Sequence, residues 1–283
     1  MFDFHIHIAR LPQKKQLTQL LCDRKYDFVA VACEPWEWNE VAQLKKEFST
    51  EFKPFMVSYG IHPKIATQAD EEMFAKLRDF LIDDEHAMVG EAGIDKRYPG
   101  YEDGTQDRVF LEQAKLAVEF RRDLQIHCVG DYMRVLKLLD QAGFPQESTR
   151  PIFHRFGGDL NVVKKAIPYG ALFSLHSDSF RKKSTVAAIP YIPQECVFFE
   201  TDADETFNTR HPRPDRGSCE CKGDPGTHSA RSGQAPAGMT RKNETGVTNE
   251  NAAGTTCCTP EEILAELESR IESVRSAYAK CRE

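Results

Sequence analysis

MFDFHIHIAR, residues 1–10, alternates apolar and polar positions from Phe2 to Ile8. Side chains leave a β-strand on opposite faces in turn, so Phe2, Phe4, Ile6 and Ile8 are expected on one face and Asp3, His5 and His7 on the other. The two imidazoles then stand about 6.5–7 Å apart at Cα, near enough to meet one metal ion. The same pattern suits an edge strand with a wet polar face, so what repeats after it decides the reading.

Seven more apolar runs follow: YDFVAVAC (26–33), KPFMVSYG (53–60), AMVGEAG (87–93), LQIHCVG (124–130), RPIFHRF (150–156), GALFSLH (170–176) and ECVFFETD (195–202). Between them the apolar period lengthens to that of a helix, roughly over 13–24, 36–48, 69–83, 105–122, 131–142, 158–167 and 180–188, and PEEILAELESRIESVRSAYAKC (260–281) closes the series. Strands buried on both faces in a parallel sheet are mostly apolar, as these are. Eight strand–helix repeats predict an α/β fold, a (β/α)8 TIM barrel spanning residues 1–283 as a single domain.

One stretch departs from the pattern. Residues 206–259 are poor in large apolar side chains and rich in Gly, Pro, Thr, Asn and Arg, so they are expected to be a long, low-complexity, flexible insertion in the last βα loop, at the mouth of the barrel. The pairs Cys219/Cys221 and Cys257/Cys258 lie in it, with a spacing unlike that of a zinc ribbon. The nine cysteines are odd in number and otherwise scattered, which argues for reduced thiols.

A formal net charge of -7 argues against bulk electrostatic wrapping of nucleic acid. No apolar run approaches the roughly 20 residues of a membrane span, and the chain enters its first strand with no basic-then-apolar leader. A soluble, cytoplasmic protein is expected.

In barrel register, metal-ligating residue types recur at or just past the C-terminal ends of the predicted strands. They are His5 and His7, His62 in GIHP, Glu91 in GEAG, His127 in IHC, His154 in FHRFGG and Asp202 in ETDAD. Any one of these histidines alone is more simply a satisfied core residue. Imidazoles and carboxylates converging on one rim point instead to a metal site.

The ordered set FDFHIHI, YGIHP, VGEAGID, QIHC, IFHRFGG and FFETDAD, spread over roughly residues 1–204, resembles the TatD family of metal-dependent hydrolases, TatD-like DNases of the amidohydrolase superfamily. The resemblance implies two divalent metal ions, one held by His5, His7 and Asp202, the other by His127 and His154, with Glu91 bridging them. His62 matches a family histidine near the site. Two departures are visible. Cys128 and Val129 stand where the family commonly has a small polar residue and Arg, and the family's asparagine-bearing motif near the last helix is missing.

Two cations about 3.5–4 Å apart activate a bridging water and stabilise the oxygens of a displacement. Asp202 is expected to be both ligand and general base, with Glu91 sharing the catalytic role. Imidazole with carboxylate suits Zn, Mn or Ni, and Mg also suits a carboxylate-bridged pair. Cations flank the predicted ligands: Lys96, Arg97, Arg155, Arg181 to Lys183, and Arg210, Arg213 and Arg216. With His62 and Arg155 on the substrate side, the activity that the family resemblance implies is a deoxyribonuclease cutting phosphodiester bonds at single-stranded DNA ends. Two other readings stay open: an amidohydrolase-type hydrolase of a small amide, ester or lactone, favoured by the missing cation after His127, and a non-enzymatic barrel scaffold.

Overall fold

Eight strands pair in parallel in chain order. They are β1 (Phe2–Ile6), β2 (Asp27–Ala32), β3 (Met56–Tyr59), β4 (Met88–Asp95), β5 (Leu124–Val129), β6 (Pro151–Phe153), β7 (Leu172–Leu175) and β8 (Val197–Phe199). Each is followed by a helix: α1 (Lys14–Asp23), α2 (Pro35–Phe48), α3 (Glu71–Asp83), α4 (Thr105–Phe120), α5 (Tyr132–Ala142), α6 (Leu160–Ala166), α7 (Lys183–Ala188) and α8 (Pro260–Arg282). The computed structural model of the protein describes residues 1–49, 55–207 and 258–282. Residues 208–257 of the expected insertion, with Arg210, Arg213, Arg216, Cys219, Cys221 and Cys257, lie outside the described residues.

The sheet closes on itself just beyond β8. Ile6 and Ala203 form a parallel bridge, and the amide of His7 donates to the carbonyl of Ala203 at 2.9 Å. Closure removes the exposed strand edges and brings the first and last strands' rim residues together.

Apolar side chains partition into two clusters. A small one has its buried members, Phe4, Val29, Val31, Cys33, Ile152 and Leu172, on β1, β2, β6, β7 and the residue after β2, with Met56, Met88 and Phe198 of β3, β4 and β8 against them. Strands that far apart in the sheet meet only inside the barrel, so this cluster fills its interior. The larger one packs the sheet's outer face against the helices and includes Ile6, Ile8, Leu17, Leu21 and Trp38.

Phe4 and Ile6 therefore do not share a face, contrary to the alternation of residues 1–10. The pairing register of β1 with β2 shifts between Asp3 and Ile6, and an irregularity of that kind resets the two-residue period. Phe4 faces inward below the shift, and the His5 and His7 rings face inward above it, 5.0 Å apart at their centroids.

Four of the helices, α3, α5, α6 and α8, begin on side-chain caps. Asp70, Asp131 and Asp159 accept the amides of Met73 (2.8 Å), Arg134 (3.0 Å) and Val162 (3.1 Å) at the starts of α3, α5 and α6. Thr259 and Glu262 cap α8 reciprocally at 2.8 and 3.2 Å. Such a cap contributes about 1 kcal/mol. Cys33, Cys128, Cys196 and Cys281 are free thiols, and no described helix is long and apolar enough to cross a membrane.

Candidate metal centre

Glu91 sits in β4 between two glycines that let the strand approach β5. At Gly93 (φ +157°) a Cβ would lie 1.8 Å from the carbonyl oxygen of His127, and at Gly90 (φ +131°) 2.5 Å from that of Gln125. Only glycine fits either position. The close approach sets Glu91 directly against His127, whose Nδ1 contacts Glu91 Oε1.

The two carboxylate oxygens of Glu91 face different neighbours. Oε2 lies 3.4 Å from His5 Nε2 and 3.7 Å from His7 Nε2, with the Cys33 thiol at 3.3 Å. Oε1 lies 2.8 Å from His154 Nε2 and 3.7 Å from His62 Nε2, besides its contact with His127. Asp202 Oδ1 completes the first set, 3.7 Å from His5 Nε2 and 3.3 Å from His7 Nε2. All the rim residues expected from the sequence thus converge on one pit. Within it, ligand atoms lie less than 4.8 Å from one another in four triads: His5–His7–Asp202, His5–Glu91–His154, His7–Cys33–Glu91 and His62–Glu91–His127.

On His127, His154 and His7 the outward nitrogen faces a carboxylate or backbone oxygen, which aims the inward one. His127 Nε2 meets Asp95 Oδ2 at 2.8 Å, His154 Nδ1 lies 3.4 Å from Glu200 Oε1, and His7 Nδ1 lies 3.3 Å from the carbonyl of Val31. His62 differs. Its Nδ1 accepts the amide of Lys64 at 3.0 Å, so a neutral His62 carries its proton on Nε2 and presents a donor to the pit.

His5 supplies the test of whether a cation fits. It is completely buried, and neither ring nitrogen has a hydrogen-bond partner. A buried polar group left so costs about 1–3 kcal/mol, and a metal ion at Nε2 removes that deficit. The carboxylates suit the same role. Burial pushes Glu91 up, but His154, His127 and His62 outweigh it and hold the carboxyl well below its usual range. Asp202 is held down in the same way, by His7 first. Burial first, with His127, His7 and His154 adding to it against the pull of Glu91, takes His62 down to about 3, so the ring stays neutral.

Asp202 and Arg155 are both left-handed, with φ of 49° and 42°, a conformation uncommon outside glycine. Arg155 donates to Asp202 Oδ2 at 2.6 Å and to Asp178. Its guanidinium positions the carboxylate as well as lining the cleft. Above the pit lies a cavity of about 280 Å³ reaching Glu91, His62 and Asp202. Beside it runs a cleft of about 600 Å³ lined by Lys96, Arg97, Arg155 and Lys182, with Cys128 and Val129 on its wall. Arg97 is committed to Asp95 (2.5 Å) and Arg181 to Asp178 (2.9 Å).

Several supporting residues were not singled out from the sequence. Cys33 obeys the same rim rule as the histidines, as the last residue of YDFVAVAC. Asp95 and Glu200 stand inside VGEAGID and FFETDAD, each beside a carboxylate that reads as the ligand. Two glutamines of α4 gave no signal. Gln106 accepts the amide of Asp95 at 2.7 Å and donates to its carbonyl at 3.1 Å. Gln113 does the same for Ile61, at 2.7 and 3.0 Å, beside His62.

A sequence profile described as TatD related DNase matches residues 2–217. A 3'-5' ssDNA/RNA exonuclease TatD of Cronobacter sakazakii is 26% identical over 159 residues, 55% of this chain and 60% of that protein. An uncharacterized metal-dependent hydrolase TatD of Mycobacterium tuberculosis is 31% identical over 160 residues, 54% of this chain and 59% of that protein. The chain thus matches these curated relatives over about 60% of their length. Among solved structures, a TatD homolog from Escherichia coli K12 superposes with a TM-score of 0.62 at 20% identity, covering 71% of this chain and 78% of that one. A hydrolase TatD family protein from Entamoeba histolytica gives 0.61 at 13% identity, over 71% and 73%. With its profile match running from the first strand past the last, the chain belongs to the TatD related DNase family.

Proposed function

We propose that this barrel is a single hydrolase domain that cleaves phosphodiester bonds at the ends of single-stranded DNA with the help of two divalent ions. The observation that carries the proposal is the two-sided environment of Glu91. One oxygen faces His5 and His7, the other faces His127 and His154. His5, His7 and Asp202 would hold one ion, His127 and His154 the other, and Glu91 both. Bound there, Zn, Mn, Mg or Ni supplies Lewis acidity and makes a water more acidic.

The chain's own groups do the rest. Asp202, ionised and with Oδ2 fixed by Arg155, accepts the proton of the attacking water at Oδ1. His62 donates from Nε2 to a phosphoryl oxygen. Lys96 and Lys182, with no carboxylate partner among the described residues, bind backbone phosphates in the cleft and steer a strand end to the pit. The names of the relatives support a nucleic-acid substrate for this chain too.

A second reading is favoured by Cys128 and Val129, which leave the wall of that cleft without a cation next to His127. It is hydrolysis of a small amide, ester or lactone. The experiment presents end-labelled single-stranded and duplex oligonucleotides beside amide, ester and lactone substrates, with and without chelator. Chelator-sensitive shortening of the single strand is expected. Turnover of only the carbonyl substrates selects the second reading, and no turnover at all leaves the barrel a scaffold.

A further inference from the structure

Cys33 stands immediately after β2, 3% exposed, where the barrel interior meets the rim. Its Sγ is 3.3 Å from Glu91 Oε2 and 3.8 Å from His7 Nδ1, and His7, Cys33 and Glu91 form one of the triads of ligand atoms. The position of its backbone is fixed from outside. The Cys33 amide donates to Glu37 Oε2 at 2.7 Å, and that wholly buried carboxylate is gripped by Arg10 at 2.5 and 3.0 Å. The thiol is therefore presented to the pit by a rigid support.

A second observation points to a ligand at the same place. The unpartnered, fully buried Nε2 of His5 approaches the same Glu91 oxygen from another strand, at 3.4 Å. Sulfur and oxygen ligands of one tetrahedral zinc ion, at about 2.3 and 2.1 Å from it, stand about 3.6 Å apart. The sulfur's 3.3 Å to Glu91 Oε2 is close to that value.

We propose that Cys33 is a sulfur ligand to the ion on the His5–His7 side, and that it biases this centre toward zinc-like ions and away from magnesium. The proposal rests on the reading of the pit as a metal centre. Thiolate is a soft donor that favours zinc, whereas an all-oxygen and imidazole set leaves room for magnesium. On binding, the thiol proton passes to solvent and the sulfur takes its place in the coordination shell. His5 of β1, His7 just after it, Glu91 of β4 and Cys33 following β2 would then share one ion, with Asp202 beside them.

Cobalt(II) titrated into the full metal-free chain tests this without reference to activity. A thiolate-to-cobalt charge-transfer band in the near ultraviolet is expected to grow together with the visible ligand-field bands. In Cys33→Ser the charge-transfer band should vanish while the ligand-field bands persist; Cys33→Ala, checked for folding by circular dichroism, serves if the serine variant does not fold. In competition dialysis the preference for zinc over magnesium should fall on the order of 10–100-fold in the variant. Cobalt uptake with no charge-transfer band, or a band unchanged in Cys33→Ser, overturns the assignment and leaves the thiol as a hydrogen-bond donor to Glu91, with the metal centre intact. No cobalt uptake at all overturns both readings.

Discussion

The backbone amide of Asp202 donates to the carbonyl of His5 at 3.0 Å. This bond and the Ile6–Ala203 bridge beside it are what close the barrel, so the closure that removes the open sheet edge also sets the Asp202 carboxylate over His5 of β1 and His7 just after it. Their separation in sequence is nearly the whole length of the barrel, and their separation in space is one ladder hydrogen bond. Fold closure and assembly of the proposed donor set are the same event.

Asp202→Asn separates the two contributions. The amide bond to His5 is backbone and survives, and asparagine tolerates the left-handed φ as aspartate does. The fold and at least one metal ion should be kept, while kcat falls something on the order of 10²–10⁴-fold, the range for loss of a general base. Steady-state kinetics on a single-stranded oligonucleotide reads this, and activity within a few-fold of the parent moves the role to another group, Asp204 being next along the chain.

Glu91→Ala should remove the bridge and with it the coupling of metal to stability. An ion that binds only the folded chain stabilises it by about 2.7 kcal/mol at a hundred times its Kd. The parent should melt higher with added zinc or manganese and lower after chelation, and carry about two ions per chain by elemental analysis. The variant should hold one or none and show little metal-dependent shift. An identical shift in parent and variant would place the ions elsewhere.

The eight strands and eight helices were legible because parallel strands covered on both faces must be apolar, which makes runs such as YDFVAVAC stand out between amphipathic stretches. The rim residues were legible for a related reason, since a His or Asp at the C-terminal end of such a run has no place in an apolar layer. The phase of β1 was not, because an irregularity between Asp3 and Ile6 leaves no mark in MFDFHIHIAR and yet changes the face of Phe4 relative to Ile6. Gln106 and Gln113 were hidden because a glutamine on an amphipathic helix reads as solvated. Arg155 read as a substrate cation from its place beside His154, and nothing local foretold its pairing with Asp178 and Asp202.

Gly93→Ala tests how tightly β4 and β5 must approach. The added methyl would stand 1.8 Å from the His127 carbonyl oxygen, which no side-chain adjustment relieves, so the two strands must part. The cost should be at least about 2 kcal/mol, within the range of core overpacking and backbone strain, and in a domain of this size each kcal/mol lowers Tm by about 2–4 °C. Metal affinity should fall with it, since Glu91 and His127 are the residues moved. A thermal melt and a zinc titration that both match the parent would mean that the strands are not packed as described.

Gln113→Leu probes the support of His62 without touching the pit. The Gln113 side chain, fully buried on α4, accepts the Ile61 amide and donates to the Ile61 carbonyl. Leucine fills a similar volume but leaves both backbone groups unpaired, at about 1–3 kcal/mol for each. The loop carrying His62 then loses its anchor to α4, while Glu91, His127 and Asp202 keep theirs. Metal content should stay at the parent level while Tm drops and kcat/KM declines, because the Nε2 donor of His62 is no longer held toward the substrate. Gln113→Glu sharpens the test, since a carboxylate accepts the Ile61 amide but repels the carbonyl it replaces as a donor, and it should be at least as damaging as leucine. If both variants lose stability yet turn over substrate as the parent does, His62 has no part in the reaction and the clamp serves the fold alone.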